Sequence, residues 1–356
     1  MTTRATPTGV AHPVIRVREG LVSLSELELE HGGRVRDGKI AYRMVGEPGA
    51  PVIAVLGGIS ADRVVAAAQD GDIHRGWWEW IVGPGRPLDL REHQVLTIDY
   101  LFGRGDSSGE AVGATLARDG PVSVPLVTPT DQAHTLAAVT TAVGARPLCG
   151  LIGASYGGAV ALSFAAAYPE RVQNTLVIGA ADRSHPMATA VRVVQRRIVQ
   201  RAAAAGDAAA GVALARALAM TTYRSDREFA QRFQRPPTVG PAGLSFPVEF
   251  YIDHHGQTFA RRFTPAQFLC LSQSSDLHSI DAEHVRTPVT LVSTDPDFLA
   301  PRWQLADLAR RMGAGHRFVE VKSLHGHDAF LTDEEVFSRI VLDFVGDCGT
   351  AGVRTS

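Results

Sequence analysis

The run Gly153-Ala154-Ser155-Tyr156-Gly157-Gly158 reads G-x-S-x-G. It follows the apolar segment from Pro147 to Ile152 and precedes the helical stretch from Ala159 to Tyr168. A strand, a tight turn and a helix in that order hold a serine on a strained elbow with its hydroxyl pointing outward. Only small neighbours let strand and helix approach so closely. Ser155 is therefore the candidate nucleophile, and the chemistry is acyl transfer through a covalent serine ester.

A serine hydroxyl is a weak nucleophile at neutral pH, so this chemistry requires a histidine base and a carboxylate to orient it. Both follow downstream. The strand signal from Thr287 to Thr294 ends at Asp295-Pro296-Asp297-Phe298-Leu299, which offers Asp295 or Asp297. A second strand signal, His316 to Val321, leads into Ser323-Leu324-His325-Gly326-His327-Asp328, which offers His325 or His327. Asp297 is preferred because Pro296 separates it from the strand and Phe298-Leu299 can anchor the loop. His327 is preferred because Gly326 gives the backbone room and a helix starts after it. Backbone donors for an oxyanion are expected from the amide of Tyr156 and from Leu56-Gly57, where the strand Pro51 to Leu56 runs into bare glycine backbone.

These groups need a rigid frame. Alternating patterns at Val22 to Leu29 and Lys39 to Val45, around the turn His31-Gly32-Gly33, predict an antiparallel edge pair. Strand signals ending at Leu56, at Gln94 to Tyr100, before Ser155 and at Thr175 to Ile178 alternate with helical stretches such as Thr130 to Val143. That alternation predicts a mostly parallel sheet with helices on both faces. It stops after Asp182, where alanine- and arginine-rich helical patterns, Met187 to Ala205 and Ala208 to Met220, take over. The glycine- and proline-rich break Arg235 to Gly243 follows, and a further helix starts near Phe246. The expected organisation is a disordered tail over 1–20, a core over 21–182 and 282–347, and a helical cap over 183–281 that encloses the site.

The chain of 356 residues, with 45% hydrophobic and 20% charged residues, suits one large globular α/β domain with an insertion. Its formal net charge of -2 and the lack of a basic stripe with interleaved aromatics argue against a nucleic-acid partner. No apolar run reaches the roughly 18–20 residues that cross a bilayer. The polar start, Met1 to Pro13, has no apolar signal core, so a cytoplasmic location is expected. Three cysteines, Cys149, Cys270 and Cys348, give no paired framework, and no histidine, including His254 and His255, has metal-ligand spacing.

Several segments outside the elbow resemble the homoserine O-acyltransferase family of α/β-hydrolases, over about Gly38 to Val345. They are Gly76-Trp77-Trp78-Glu79 with Val82-Gly83-Pro84-Gly85-Arg86-Pro87-Leu88-Asp89, Ala165 to Val172, Leu214-Ala215-Arg216, Thr222-Tyr223-Arg224-Ser225, Phe259 to Phe263, Asp297-Phe298-Leu299, and Gly326-His327-Asp328-Ala329-Phe330-Leu331. The resemblance implies an α/β-hydrolase fold with an inserted helical cap and the triad Ser155, Asp297 and His327. It also implies an acceptor site in which Arg216 grips the α-carboxylate, Asp328 accepts from the α-ammonium and Tyr223 lies alongside. The chain departs from the family at Gly103 to Glu110, at Tyr156 where methionine is frequent, and in a shorter stretch from Ser155 to Arg216. By resemblance the activity is acyl-CoA-dependent O-acylation of L-homoserine for methionine synthesis, with succinyl-CoA favoured over acetyl-CoA as co-substrate. No bound cofactor or metal is implied, and a homodimer forms through the cap. The rival readings are an esterase-type hydrolase, a serine O-acyltransferase and a non-catalytic binding protein on the same frame.

Overall fold

A computed structural model describes residues 15–68, 75–113, 115–116, 120–241 and 243–350. Eight strands form the path of the main sheet: β1 (Arg16–Ser23), β2 (Arg34–Gly46), β3 (Val52–Leu56), β4 (Gln94–Ile98), β5 (Gly150–Ala154), β6 (Thr175–Ile178), β7 (Val289–Asp295) and β8 (Arg317–Lys322). They lie in the spatial order β1-β2-β4-β3-β5-β6-β7-β8. β1 and β2 pair antiparallel, β2 meets β4 antiparallel, and every pairing from β4 to β8 is parallel. Two short strands, Glu26–Glu28 and Ser108–Val112, also pair with β2.

The central strands are apolar on both faces because both faces are covered. β5 and β6 are buried at every residue. Successive residues of β3 divide between two cores: Ala54 and Leu56 pack with helix α2 (Tyr156–Ala167) on one side, while Ile53 and Val55 pack with Trp78 and Phe337 on the other. Helix α1 (Pro129–Ala142) opens with a capping box, in which Asp131 N donates to Thr128 Oγ1 at 3.1 Å and Thr128 N donates to Asp131 Oδ2 at 2.8 Å.

β1 corrects one expectation. Residues 16–20, read as part of a disordered tail, form its first half and pair with β2 from Gly46 to Tyr42. Almost the whole strand is exposed, so the ladder holds it rather than burial, and its polar composition gave no strand signal. Residues 1–14 of that tail lie outside the described residues.

After β6 the chain leaves the sheet and returns before β7. Arg183 and Ser279 form a β-bridge at the neck, and Ile280 N donates to Asp182 O at 2.9 Å. Between them lie α3 (Pro186–Ala204), α4 (Ala208–Tyr223), α5 (Asp226–Arg232), α6 (Pro247–Ala260) and α7 (Pro265–Leu277). The glycine- and proline-rich break contains an exposed hairpin, Thr238–Gly240 with Gly243–Ser245. Two helices complete the fold: α8 (Arg302–Met312) follows β7, and α9 (Glu334–Thr350) closes the chain. Strand order reverses about β3, so a crevice opens beyond the carboxyl ends of β3 and β5, where such sheets bind ligands.

Candidate active site

Ser155 sits between β5 and α2 with φ 56° and ψ -118°, a left-handed conformation that costs a non-glycine residue of order 1–3 kcal/mol. Close packing imposes it. A Cβ on Gly153 would lie 2.2 Å from Gly157 O, and one on Gly157 would lie 2.3 Å from Leu56 O. Only glycine lets β5, α2 and β3 converge, and Gly157 N donates to Gly57 O at 3.0 Å to pin the turn.

His327 lies at the start of the 3-10 turn Gly326–Leu331, with its Nε2 2.7 Å from Ser155 Oγ and its Nδ1 2.7 Å from Asp297 Oδ2. The carboxylate only accepts, so Nδ1 carries the proton and Nε2 presents a bare lone pair to the serine hydroxyl. Asp297 Oδ1 is fixed from behind by the amides of Leu299 at 2.7 Å and Ala300 at 3.0 Å. Burial disfavours the charged imidazole. The charge and hydrogen bond of Asp297 outweigh it, so the pKa of His327 stands above its ordinary value. Gly326 brings the loop in: its φ is +63°, and a Cβ there would lie 2.9 Å from Ser225 N.

The two alternatives lie elsewhere. Asp295 ends β7, exposed and in register with Lys322. His325 is held away from the serine, with Nδ1 3.2 Å from Glu228 Oε2 and Nε2 3.3 Å from Asp333 Oδ1.

A cavity of about 590 Å³ opens over Ser155 and His327, with Gly58, Trp77, Arg216, Tyr223, Phe259 and Asp328 in its wall. The expected oxyanion donors Leu56 and Gly57 lie at and just after the end of β3. Leu56 is buried within the sheet opposite Gly153, and the carbonyl of Gly57 accepts from Gly157 N and from Tyr100 Oη at 2.7 Å. The lining starts one residue later, at Gly58, where a Cβ would lie 4.0 Å from Ser155 Oγ. Tyr156 N lies in the first turn of α2, where amides have no intrahelical acceptor. The Tyr156 side chain is buried instead, its Oη 2.7 Å from Ser274 Oγ.

Arg216 projects from α4 between two rings, with its guanidinium carbon 4.7 Å from the Tyr223 centroid and 4.8 Å from that of Phe259. Its Nη1 donates to Tyr223 Oη at 3.2 Å. Across the cavity, burial raises the pKa of the Asp328 carboxyl, while Arg224, His327 and Arg216 oppose that rise. Arg224 Nε lies 3.3 Å from Asp328 Oδ2 and its Nη1 3.5 Å from Glu228 Oε2, so it ties the acid to the cap. Arg224 follows Tyr223 in sequence, where nothing local marks it, because its partners Asp328 and Glu228 meet it only in the fold. Trp78 Nε1 donates to Phe330 O at 2.8 Å, which anchors the loop that carries His327. Among the described residues, no group of three or more His, Cys, Asp or Glu side chains is arranged to hold a metal ion. No helix among them is long and apolar enough to cross a membrane.

A mostly parallel sheet, a serine on an elbow after its fifth strand, and a histidine and aspartate from later loops define an α/β-hydrolase. The family described as alpha/beta hydrolase fold matches residues 57–334. The homoserine O-succinyltransferase of Xanthomonas campestris pv. campestris is 36% identical over 86% of this chain and 78% of its own length. The serine O-succinyltransferase of Frateuria aurantia is 32% identical over 90% and 96%, and the homoserine O-acetyltransferase of Symbiobacterium thermophilum 32% over 86% and 88%. Within the α/β-hydrolases the chain belongs to the homoserine O-acyltransferase family.

Solved structures share the fold at lower identity. The homoserine O-acetyltransferase of Bacillus anthracis superposes with a TM-score of 0.79 at 18% identity, covering 93% of this chain and 98% of that one. An esterase does so with a TM-score of 0.79 at 17% identity, covering 93% and 100%. The fold alone therefore does not separate transfer from hydrolysis.

Proposed function

We propose that the protein transfers an acyl group from acyl-CoA to the side-chain hydroxyl of L-homoserine by a ping-pong mechanism, with succinyl-CoA the preferred donor over acetyl-CoA. The observation that carries this reading is that Arg216 and Asp328 line the same cavity as Ser155 and His327. A guanidinium and a carboxylate there can grip the two ends of an amino-acid zwitterion, a clamp that a plain esterase does not need.

In the first half-reaction His327 Nε2 takes the Ser155 proton as Oγ bonds to the thioester carbonyl carbon. The oxyanion is met by the amide of Tyr156 and by an amide of the Leu56-Gly57 segment after β3. The C–S bond then breaks, and His327 returns the proton to the CoA sulfur. In the second, His327 takes the proton of the homoserine hydroxyl as its oxygen attacks the acyl carbon; the C–Oγ bond then breaks and His327 returns the proton to Ser155 Oγ. Arg216 holds the α-carboxylate while Tyr223 and Phe259 fix its guanidinium plane. Asp328 accepts from the α-ammonium. The cap, 183–281, restricts water above the core of 21–182 and 282–347, which favours the acceptor over hydrolysis.

Two of the relatives named above are succinyltransferases, which supports the succinyl donor. The Frateuria enzyme keeps L-serine open as acceptor, since its α-amino-acid end would meet the same clamp. The product would be an O-acylhomoserine for methionine synthesis in the cytoplasm. A homodimer would form through the cap, where Val194, Leu214 and Phe250 leave apolar side chains exposed.

The test is thiol release by the purified protein from succinyl-CoA and from acetyl-CoA, with and without L-homoserine and with L-serine in its place. Release that depends on homoserine and is faster with succinyl-CoA is expected. Equal release with no acceptor would replace the transferase by a hydrolase.

A further inference from the structure

One of the two segments that meet the oxyanion is loose by composition. Gly57 is followed by Gly58, and a peptide unit between two glycines has no side chain to hold its plane. A peptide is planar, so fixing the direction of its carbonyl fixes the whole unit and constrains the backbone on either side. The Gly57 carbonyl is fixed twice. It accepts from Gly157 N at 3.0 Å, on the elbow, and from Tyr100 Oη at 2.7 Å.

Tyr100 follows β4, is 2% exposed and is not among the residues that line the cavity over Ser155. Its own place is held from three sides. Gln132 of α1 closes on the next residue, accepting from Leu101 N at 3.0 Å and donating to Leu101 O at 2.9 Å. Gln267 of α7 donates to Gly103 O at 2.9 Å, which ties the loop after Tyr100 to the cap. The Tyr100 ring meets the Tyr156 ring edge to face, with centroids 4.9 Å apart and planes at 89°. Tyr156 in turn reaches α7, its Oη 2.7 Å from the buried Ser274 Oγ. Burial raises the pKa of both phenols, so each keeps its proton and Tyr100 stays a donor. The segment at Gly57 and the amide of Tyr156 are thus joined through one buried aromatic pair. A methionine at 156, frequent in the family, could make neither the edge-to-face contact nor the bond to Ser274.

We infer that Tyr100 and Tyr156 are positioning residues for the oxyanion: Tyr100 sets the Gly57 backbone, and Tyr156 braces Tyr100 and anchors the pair to cap helix α7. The inference rests on the reading above that Ser155 becomes acylated, and it adds the two side chains that hold the oxyanion donors in place.

The test uses Tyr100→Phe, which removes one hydroxyl and keeps the ring, and Tyr156→Phe, which cuts the tie to Ser274. Acylation is followed as nitrophenolate release from 4-nitrophenyl acetate and as thiol release from succinyl-CoA with L-homoserine. Affinity for propylboronic acid is measured beside them. There Ser155 Oγ bonds to boron, His327 takes the serine proton, and one hydroxyl of the anionic tetrahedral adduct occupies the oxyanion position. Tyr100→Phe lowers kcat/KM for acylation about ten-fold or more, short of the roughly 10²–10³ that a deleted donor costs. Boronate affinity falls by the same factor. The KM for L-homoserine stays within about two-fold, because both half-reactions use the same oxyanion site, a split that general damage to the fold would not give. Tyr156→Phe moves rate and boronate affinity in the same direction by less, and the double variant loses less than the product of the two, as coupled residues do. A Tyr100→Phe protein within about two-fold of wild type in both readouts, or one slowed with boronate affinity unchanged, overturns the inference. Inert CoA thioesters in wild type, with the nitrophenyl ester still slowed by Tyr100→Phe, would leave the positioning pair standing and remove the CoA-dependent reading instead.

Discussion

Replacing Asp297 by asparagine tests the arrangement at its most constrained point. Asp297 Oδ1 accepts from Leu299 N at 2.7 Å and Ala300 N at 3.0 Å, and an asparagine can satisfy both donors only by placing its carbonyl oxygen there. Its NH2 must then take the Oδ2 position, 2.7 Å from His327 Nδ1, and donate to it. The imidazole is driven to the tautomer with its proton on Nε2, facing Ser155 Oγ, and can no longer accept the hydroxyl proton. The size and hydrogen-bond count of the site are unchanged, so the protein stays folded while kcat falls. Loss of the correct tautomer in a serine triad costs about 10⁴-fold, or roughly 5 kcal/mol of transition-state stabilisation. The pH profile moves as well. In wild type the base is neutral only above a pKa that Asp297 holds over the ordinary value, so activity is lost as pH falls through it. Without that charge, burial dominates and the acid limb shifts to lower pH. Single-turnover thiol release measured across pH in both proteins reads both effects. A fall in kcat below ten-fold, or an acid limb that stays in place, would refute the assigned roles.

Ser155→Ala abolishes acceptor-dependent thiol release, and wild-type rates in a folded Ser155→Ala protein would remove the covalent mechanism. Ser155→Gly is also inactive but more stable by about 1 kcal/mol, because glycine adopts φ 56° without strain; a lower melting temperature than wild type would contradict the strain at the elbow. Arg216→Ala raises the KM for the amino-acid acceptor about ten-fold or more and leaves the rate of first thiol release from acyl-CoA within a few-fold. An unchanged acceptor KM would end the clamp assignment. Trp78→Phe costs about 1–3 kcal/mol in urea unfolding, since Phe330 O loses the Trp78 indole donor in a buried setting. A cost under 0.5 kcal/mol, on the scale of an ordinary surface change, would show that the bond carries little.

What could be read from the sequence followed from how local each signal is. The elbow is legible because glycine at 153 and 157 answers a contact made within a few residues, and β6 is legible because Leu176, Val177 and Ile178 form one apolar run. β1 was missed because its stability comes from pairing with β2 across an exposed edge, which leaves no hydrophobic mark. The preference for His327 over His325 rested on glycine at 326. The structure gives that glycine its reason in the backbone of Ser225, 99 residues from Leu324, whose carbonyl takes the Ser225 hydroxyl.

The same distinction explains why the charge arrangement beside the small space at Ser155 left no trace in the sequence. Arg192, Arg196 and Asp276 are ordinary residues of helix faces until α3 and α7 pack together. Only then do two guanidiniums share one carboxylate and one charge remain, beside a space that reaches Ser155. A triad is conspicuous because its chemistry demands rare residue types in fixed order. A charge-lined space needs only a volume and a sign of charge, and many sequences supply both. Specificity in such a fold therefore has to be read from how the helices above the sheet pair their charges, and the nucleophile's motif says nothing about it.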